Sequence, residues 1–199
     1  MSAKIRIGIS SCLLGQAVRY DGGHKHNEYI TDTLGELFEF VPYCPEVAIG
    51  MGIPRPPIRL VQVGRAVHAR GVDDPTQDVT EPLLGYADKV AKKLNNVSGY
   101  IFKKNSPSCG PARVKLYTRM GRRAGTARGI YAGRLQDLHP ALPVVDEEQL
   151  MNPIQRERFL ARVFVYHQWQ QLNRRRLTAR RLAAFHASIQ SVQGIKTRR

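Results

Sequence analysis

Three cysteines, and no more, punctuate this chain of 199 residues, and each follows an apolar segment of strand length. Ile5-Arg6-Ile7-Gly8-Ile9-Ser10 leads to Cys12, and Leu37-Phe38-Glu39-Phe40-Val41-Pro42-Tyr43 leads to Cys44. Ser98-Gly99-Tyr100-Ile101-Phe102 leads through Lys103-Lys104 into the loop Asn105-Ser106-Pro107-Ser108-Cys109-Gly110. In an open parallel α/β sheet, ligands bind beyond the carboxyl ends of the strands. If the three segments are neighbouring parallel strands, three thiols arrive at one sheet edge, and three thiols at one site suggest a metal.

The spacing narrows the choice of metal without closing it. The cysteines stand 32 and 65 residues apart, whereas structural zinc sites draw ligands in close C-x₂₋₄-C pairs. A disulfide framework is disfavoured by the odd count and by the absence of a secretory signal. An iron–sulfur cluster, held by thiolates from separate loops, fits the spacing, and three ligands would leave one iron open. Unrelated buried thiols fit it too, because free cysteine is among the most buried residue types. A third option adds His24, from the turn Asp21-Gly22-Gly23-His24-Lys25-His26, to make a nominal Cys₃His zinc set.

At these residues the chain resembles a known family. Ile9-Ser10-Ser11-Cys12-Leu13-Leu14-Gly15, Val18-Arg19-Tyr20-Asp21-Gly22, Cys44-Pro45-Glu46 with Pro54-Arg55, and Ser106-Pro107-Ser108-Cys109-Gly110 appear in order. Together they are similar to the motifs of the thiouracil desulfidase family, over about residues 4–145. Residues 151–186 resemble the start of a second domain often fused to it, in proteins that remove sulfur from 4-thiouridine in transfer RNA. Beyond His186 the chain departs from that pattern.

The resemblance implies that Cys12, Cys44 and Cys109 bind a [4Fe-4S] cluster whose fourth iron is open. It implies that Glu46 is the general acid/base and Ser108 a catalytic or orienting hydroxyl. Ser11, Asp21, Arg55 and Ser106 are the implied substrate contacts. Read without the family, Glu46 is a surface carboxylate, Ser108 a turn residue after Pro107, and Arg55 a partner for a substrate phosphate or for a salt bridge. Gly50-Met51-Gly52 lacks the third glycine and the following helix of a dinucleotide fingerprint, and is set aside.

Composition bears on compartment and partners. No run approaches the ~20 apolar residues of a membrane helix, and Lys4 and Arg6 interrupt the one apolar stretch near the N-terminus, so no signal peptide is read there. With three unpaired thiols, a cytoplasmic location is expected. The net charge of +15 is uneven. Residues 1–150 hold 20 Lys and Arg against 15 Asp and Glu, while residues 151–199 hold 11 against one. That shift places a boundary near residue 150, between an iron–sulfur desulfidase domain (1–150) and a basic helical segment (151–199).

Strand and helix patterns alternate through the first part. Asn27 or Thr31 caps a helix to about Leu37, and segments 58–63 and 66–69 flank Gly64 as a hairpin. Thr80 reads as the N-cap of a helix whose Leu83, Leu84, Ala87, Val90, Ala91 and Leu94 share a face. Residues 114–117 read as a further strand and 129–138 as a helix. The alternation predicts an α/β fold of Rossmann-like type, a mainly parallel sheet with flanking helices. In the basic segment, Asn152-Pro153 opens a helix to about Leu172, with Phe159, Leu160, Val163, Phe164 and His167 on one face. Arg174, Arg175, Arg176, Arg180 and Arg181 then supply five arginines in eight positions with no acid among them, a pattern that favours a polyanion.

The expected activity is removal of sulfur from a thiolated pyrimidine, supplied as base, nucleoside or transfer RNA, with 4-thiouridine in transfer RNA as the natural substrate. The alternative from another class is a non-catalytic RNA-binding or regulatory protein with a structural or sensing metal. Thiolation in the opposite direction would need an ATP-activating loop, and no G-x-x-x-x-G-K-[ST] is present.

Overall fold

A computed structural model of the protein describes residues 3–174 and 178–194. β1 (Ile5–Ser10), β2 (Phe38–Tyr43), β5 (Tyr100–Phe102) and β8 (Val144–Asp146) form one sheet in the order β2-β1-β5-β8. All of its pairings are parallel. The chain leaves β1 toward β2 on one side, and leaves β5 toward β8 on the other. The order therefore reverses between β1 and β5, which is where an open α/β sheet opens a crevice for ligands.

A second sheet is built from two excursions of the chain between strands of the first. β3 (Ile58–Val63) and β4 (Ala66–Gly71) form the expected antiparallel hairpin. β6 (Val114–Tyr117) pairs parallel with β3 and antiparallel with β7 (Arg123–Ala127). Residues 114–117 are thus a strand, as expected, but in a mixed second sheet. β7 and the three-residue β8 are strands that the sequence reading does not contain.

Helices cover both faces of the parallel sheet. On one face lie α3 (Thr80–Ala91) and α4 (Ile130–Leu138), which close over Tyr100, Phe102, Tyr131 and Leu142. Gly8 makes this packing possible: a Cβ there would stand 2.5 Å from the Tyr100 ring. Tyr100 stacks on Phe102 with centroids 4.0 Å apart, and its hydroxyl meets that of Tyr131 at 3.1 Å. On the other face α6 (Pro153–Asn173) lies with the wide turn Tyr29–Leu34 and its continuation α1 (Gly35–Leu37) over Ile7, Ile9 and Ile101.

Cap chemistry explains several element boundaries. Asn27 Oδ1 accepts from the Ile30 amide at 3.2 Å, so Asn27 opens the first helical turn. Thr80, expected as an N-cap, is the first residue of α3, and the Asp78 carboxylate accepts its amide at 3.1 Å. Asp146 and Gln149 form a reciprocal capping box that opens α5 (Glu147–Met151). Asn152 caps α6 through the Gln155 amide at 3.1 Å, with Pro153 at the first helical position.

The step in charge near residue 150 is not a step in packing. Phe159 and Val163 of α6 are 4% and 0% exposed and belong to the same core cluster as Ile7 and Ile9. A Cβ on Gly99 would lie 2.7 Å from Val163 Cγ2. Ser98 Oγ bonds His167 Nδ1 at 3.0 Å and Gln170 Oε1 at 2.8 Å. α7 (Ala179–Gly194) follows, with Phe185 against Trp169 at 5.6 Å between centroids. Among the described residues no helix is long and apolar enough to cross a membrane.

Candidate active site

The three cysteines meet at the carboxyl edge of the parallel sheet. Cys12 lies in the 3-10 turn Ser11–Leu14 that follows β1, and Gly15, at φ 85°, ends that turn. Cys44 directly follows β2 and caps the short α2 (Pro45–Ala48). Cys109 sits in the loop after β5. All three line one cavity of about 410 Å³, together with Ser10, Ser11, Glu46, Arg55 and Ser106.

The Cys109 loop is held rigidly by its own polar groups and by α4. Asn105 takes a left-handed conformation (φ 60°), one that asparagine tolerates better than most residues. Ser106 Oγ accepts from the amides of Ser108 at 3.3 Å and Cys109 at 3.0 Å. The first turn of α4 donates back to the loop, Ile130 N to Pro107 O at 3.0 Å and Ala132 N to Ser108 O at 3.1 Å. This approach requires glycine at position 129, where a Cβ would stand 2.7 Å from Ser108 O.

The three thiols share a largely buried setting. Cys12 and Cys109 are buried, and Cys44 is half-buried. Burial pushes the Cys12 thiol up to about 11, with the Lys103 ammonium opposing it. Burial also raises Cys44. It raises Cys109 well above its ordinary value, and the Glu46 carboxylate and the other two cysteines add to the effect. Buried thiols of this kind ionise when a cation compensates their charge. Among the described residues no three His, Cys, Asp or Glu side chains converge closely enough to hold a single ion. Soft thiolates are donors an iron–sulfur cluster accepts. His24 does not line the cavity; its Nδ1 accepts from the His26 amide at 3.2 Å.

Beside the thiols lies a buried polar chain. Ser108, fully buried, donates from Oγ to Glu46 Oε1 at 2.7 Å. Arg55 donates from Nε to Glu46 Oε2 at 2.8 Å, with Nη2 at ion-pair distance from the same oxygen, also 2.8 Å. Residues expected from separate motifs at 46, 55 and 108 are thereby one network. Ser11 and Ser106 also line the cavity. Asp21 lies outside the lining, exposed, with its carboxylate on Arg19 Nε at 3.3 Å and the Gly23 amide at 3.0 Å.

Two further residues at the site have no role in the sequence reading. Ser10 Oγ accepts from the Lys103 amide at 3.0 Å, which ties the end of β1 to the loop after β5. Lys103 itself pairs with Glu147, and Lys104 with Glu148, fastening that loop to α5. The lysine pair before the loop was the available signal. Its acidic partners lie more than 40 residues away and carry no local mark.

The arginines of the basic segment stand elsewhere. Arg174 Nη2 bonds Asn96 Oδ1 at 2.6 Å and Asn95 O at 3.4 Å, in the turn that precedes β5. It therefore sits at the amino edge of the parallel sheet, opposite the cavity. Arg180 is exposed on α7, and Arg181, in the helix's first turn, donates its amide to Thr178 Oγ1 at 3.3 Å. Arg175 and Arg176 lie outside the described residues.

Comparison with known proteins adds a second line of argument. The profile of a family described as 2-thiouracil desulfurase matches residues 7–147. The uncharacterized protein YbbK of Bacillus subtilis (strain 168) is 34% identical over 149 residues, covering 71% of this chain and 95% of that protein. The solved structure of the [4Fe-4S]-dependent thiouracil desulfidase TudS superposes with a TM-score of 0.60 at 28% identity. That match covers 78% of this chain and 99% of the TudS chain.

Proposed function

Since the chain belongs to the 2-thiouracil desulfurase family, we propose that it hydrolyses the C–S bond of a thiolated pyrimidine, releasing sulfide and leaving a carbonyl. Cys12, Cys44 and Cys109 would hold a [4Fe-4S] cluster with one iron free of protein ligands. Bound there, the cluster would supply Lewis acidity toward a thiocarbonyl sulfur, which would make the attached ring carbon more electrophilic. The observation that carries the reading is the 2.7 Å hydrogen bond from the buried Ser108 to Glu46, which lines the same cavity as the three thiols.

Glu46 is the base of this reading. A water placed beside Oε1 loses a proton to it as its oxygen adds to the ring carbon. The C–S bond then breaks, and the oxygen stays as the carbonyl. One water is consumed and one hydrogen sulfide is produced, with no net oxidation or reduction. Ser108 Oγ, already donating to Oε1, orients that carboxylate and can pass a proton between it and the substrate. Burial of the network keeps bulk water from competing for these hydrogen bonds.

The finer reading is that the substrate is 4-thiouridine in transfer RNA. Residues 151–199 hold 10 of the 15 net positive charges. Arg174 is separated from the cavity by the length of the sheet, about 20 Å for a six-residue strand. A polyanion long enough to reach both ends suits this separation, and a free base does not.

The test is anaerobic reconstitution, followed by sulfide release from thiouracil, 4-thiouridine and thiolated transfer RNA. Glu46→Gln is expected to keep iron and sulfide content while turnover falls about 10²–10⁴-fold. Wild-type protein that assembles the cluster and releases no sulfide from any of the three overturns the proposal.

A further inference from the structure

We propose that Arg55 is a positioning residue for Glu46, holding one carboxylate oxygen so that the other is the proton acceptor; the inference rests on the desulfidase reading above. The Arg55 side chain is 3% exposed, and Glu46's is 13% exposed. Nε and Nη2 both lie 2.8 Å from Glu46 Oε2. Nη1 donates to Gly52 O at 2.9 Å, and Nη2 also reaches Val18 O at 3.0 Å. An arginine has five N–H donors in a fixed fork, and three of them are hydrogen bonded to these acceptors. With 3% of the side chain exposed, little of the guanidinium is open to a substrate phosphate, the role that the sequence alone left open for Arg55.

The anchors explain how one side chain can fix the base. Arg55 enters from the turn after α2, where Gly50 and Gly52 have φ of 86° and 79°, and its amide donates to Tyr20 O at 2.9 Å. Val18 and Tyr20 belong to the loop after β1, while Glu46 belongs to α2. The guanidinium thus ties α2 and the turn after it to the loop after β1. Val18 O also accepts from the protonated Cys44 thiol at 3.7 Å. With Oε2 held in the ion pair with Arg55, Oε1, which meets Ser108 Oγ, is the oxygen left to accept a proton.

The experiment compares Arg55→Met, Arg55→Lys, Glu46→Gln and the double variants in anaerobically reconstituted full-length protein. It reads kcat and KM for 4-thiouridine, iron and sulfide content, and the thermal midpoint. Loss of geometry around a reacting group can cost about 10²-fold, so Arg55→Met is expected to lose about that much kcat. KM and cluster content should stay close to wild type, and in the Glu46→Gln background Arg55→Met should cost almost nothing more. Independent, multiplicative losses overturn the proposal, as does a loss confined to KM or a full kcat in Arg55→Met. Should Arg55→Met fail to hold its cluster, Arg55→Lys carries the same comparison. It keeps a cation beside Glu46 without the fork, and wild-type kcat in that variant overturns the proposal. An inactive wild-type enzyme would refute the desulfidase reading instead.

Discussion

Phe159→Ala tests whether the helix that opens the basic segment belongs to the core of the iron–sulfur part. Phe159 is 4% exposed, and its ring tip lies 3.3 Å from where a Cβ on Gly99 would be, packed directly on the strand that leads to Cys109. Removal of a buried phenylalanine costs about 3–5 kcal/mol. At about 2–4 °C per kcal/mol for a chain of this size, the thermal midpoint should fall by about 6–20 °C. Urea unfolding of the metal-free protein supplies a sharper assay. Trp169, the one tryptophan of the chain, lies on α6 against Phe185, and its fluorescence reports that helix. Far-UV dichroism reports the whole fold. If α6 is integral, the two transitions coincide and Phe159→Ala shifts both. A tryptophan transition at lower urea, with a dichroism midpoint unmoved by the substitution, would refute the reasoning and restore residue 150 as a stability boundary.

Three other outcomes are expected. Replacing Cys12, Cys44 or Cys109 singly by Ala should abolish the iron–sulfur absorption of reconstituted protein; a variant that keeps full iron and sulfide excludes that cysteine as a ligand. Gly129→Ala places a Cβ 2.7 Å from Ser108 O, and overpacking of this kind costs about 1–3 kcal/mol. It should lower both thermal midpoint and turnover, whereas Gly85→Ala on α3, where a Cβ would meet nothing within 4 Å, should be tolerated. Burial pushes Asp78 up, but hydrogen bonds from Thr80, then His68 and Arg70, outweigh it and hold the carboxyl well below its ordinary 3.8. Its contribution is therefore complete above about pH 4 and lost on acidification below it. Asp78→Asn should flatten the acid side of a plot of urea midpoint against pH, and an unchanged slope would refute that assignment.

Much of the site was written locally. Each cysteine follows an apolar run ended by a turn former, and those runs are β1, β2 and β5. Asn152-Pro153 marks the start of α6 because a side-chain acceptor and a residue without an N–H are what a helix start favours. Other elements left fainter traces. β8 has three residues, too few to show a period, and exists because β5 offers it an edge. Residues 114–117 resemble the strands of the parallel sheet, and only the partner β3 assigns them to the other one. The charge step near residue 150 is a surface property, since Arg158 and Arg162 of α6 are exposed while Phe159 and Val163 are buried.

The amino-acid sequence by itself determined the three thiols, the strands that deliver them and the acid and hydroxyl beside two of them. These depend on neighbours a few residues away, through turn chemistry and the periodicities of strand and helix. The tertiary structure alone decided that Glu46, Arg55 and Ser108 form one buried chain, that the strand order reverses between β1 and β5, and that Arg174 faces the far edge from the thiols. Each of these joins segments tens of residues apart. Such contacts are set by which faces must be buried together and by the closure of long loops, and neither leaves a mark at the positions that finally meet.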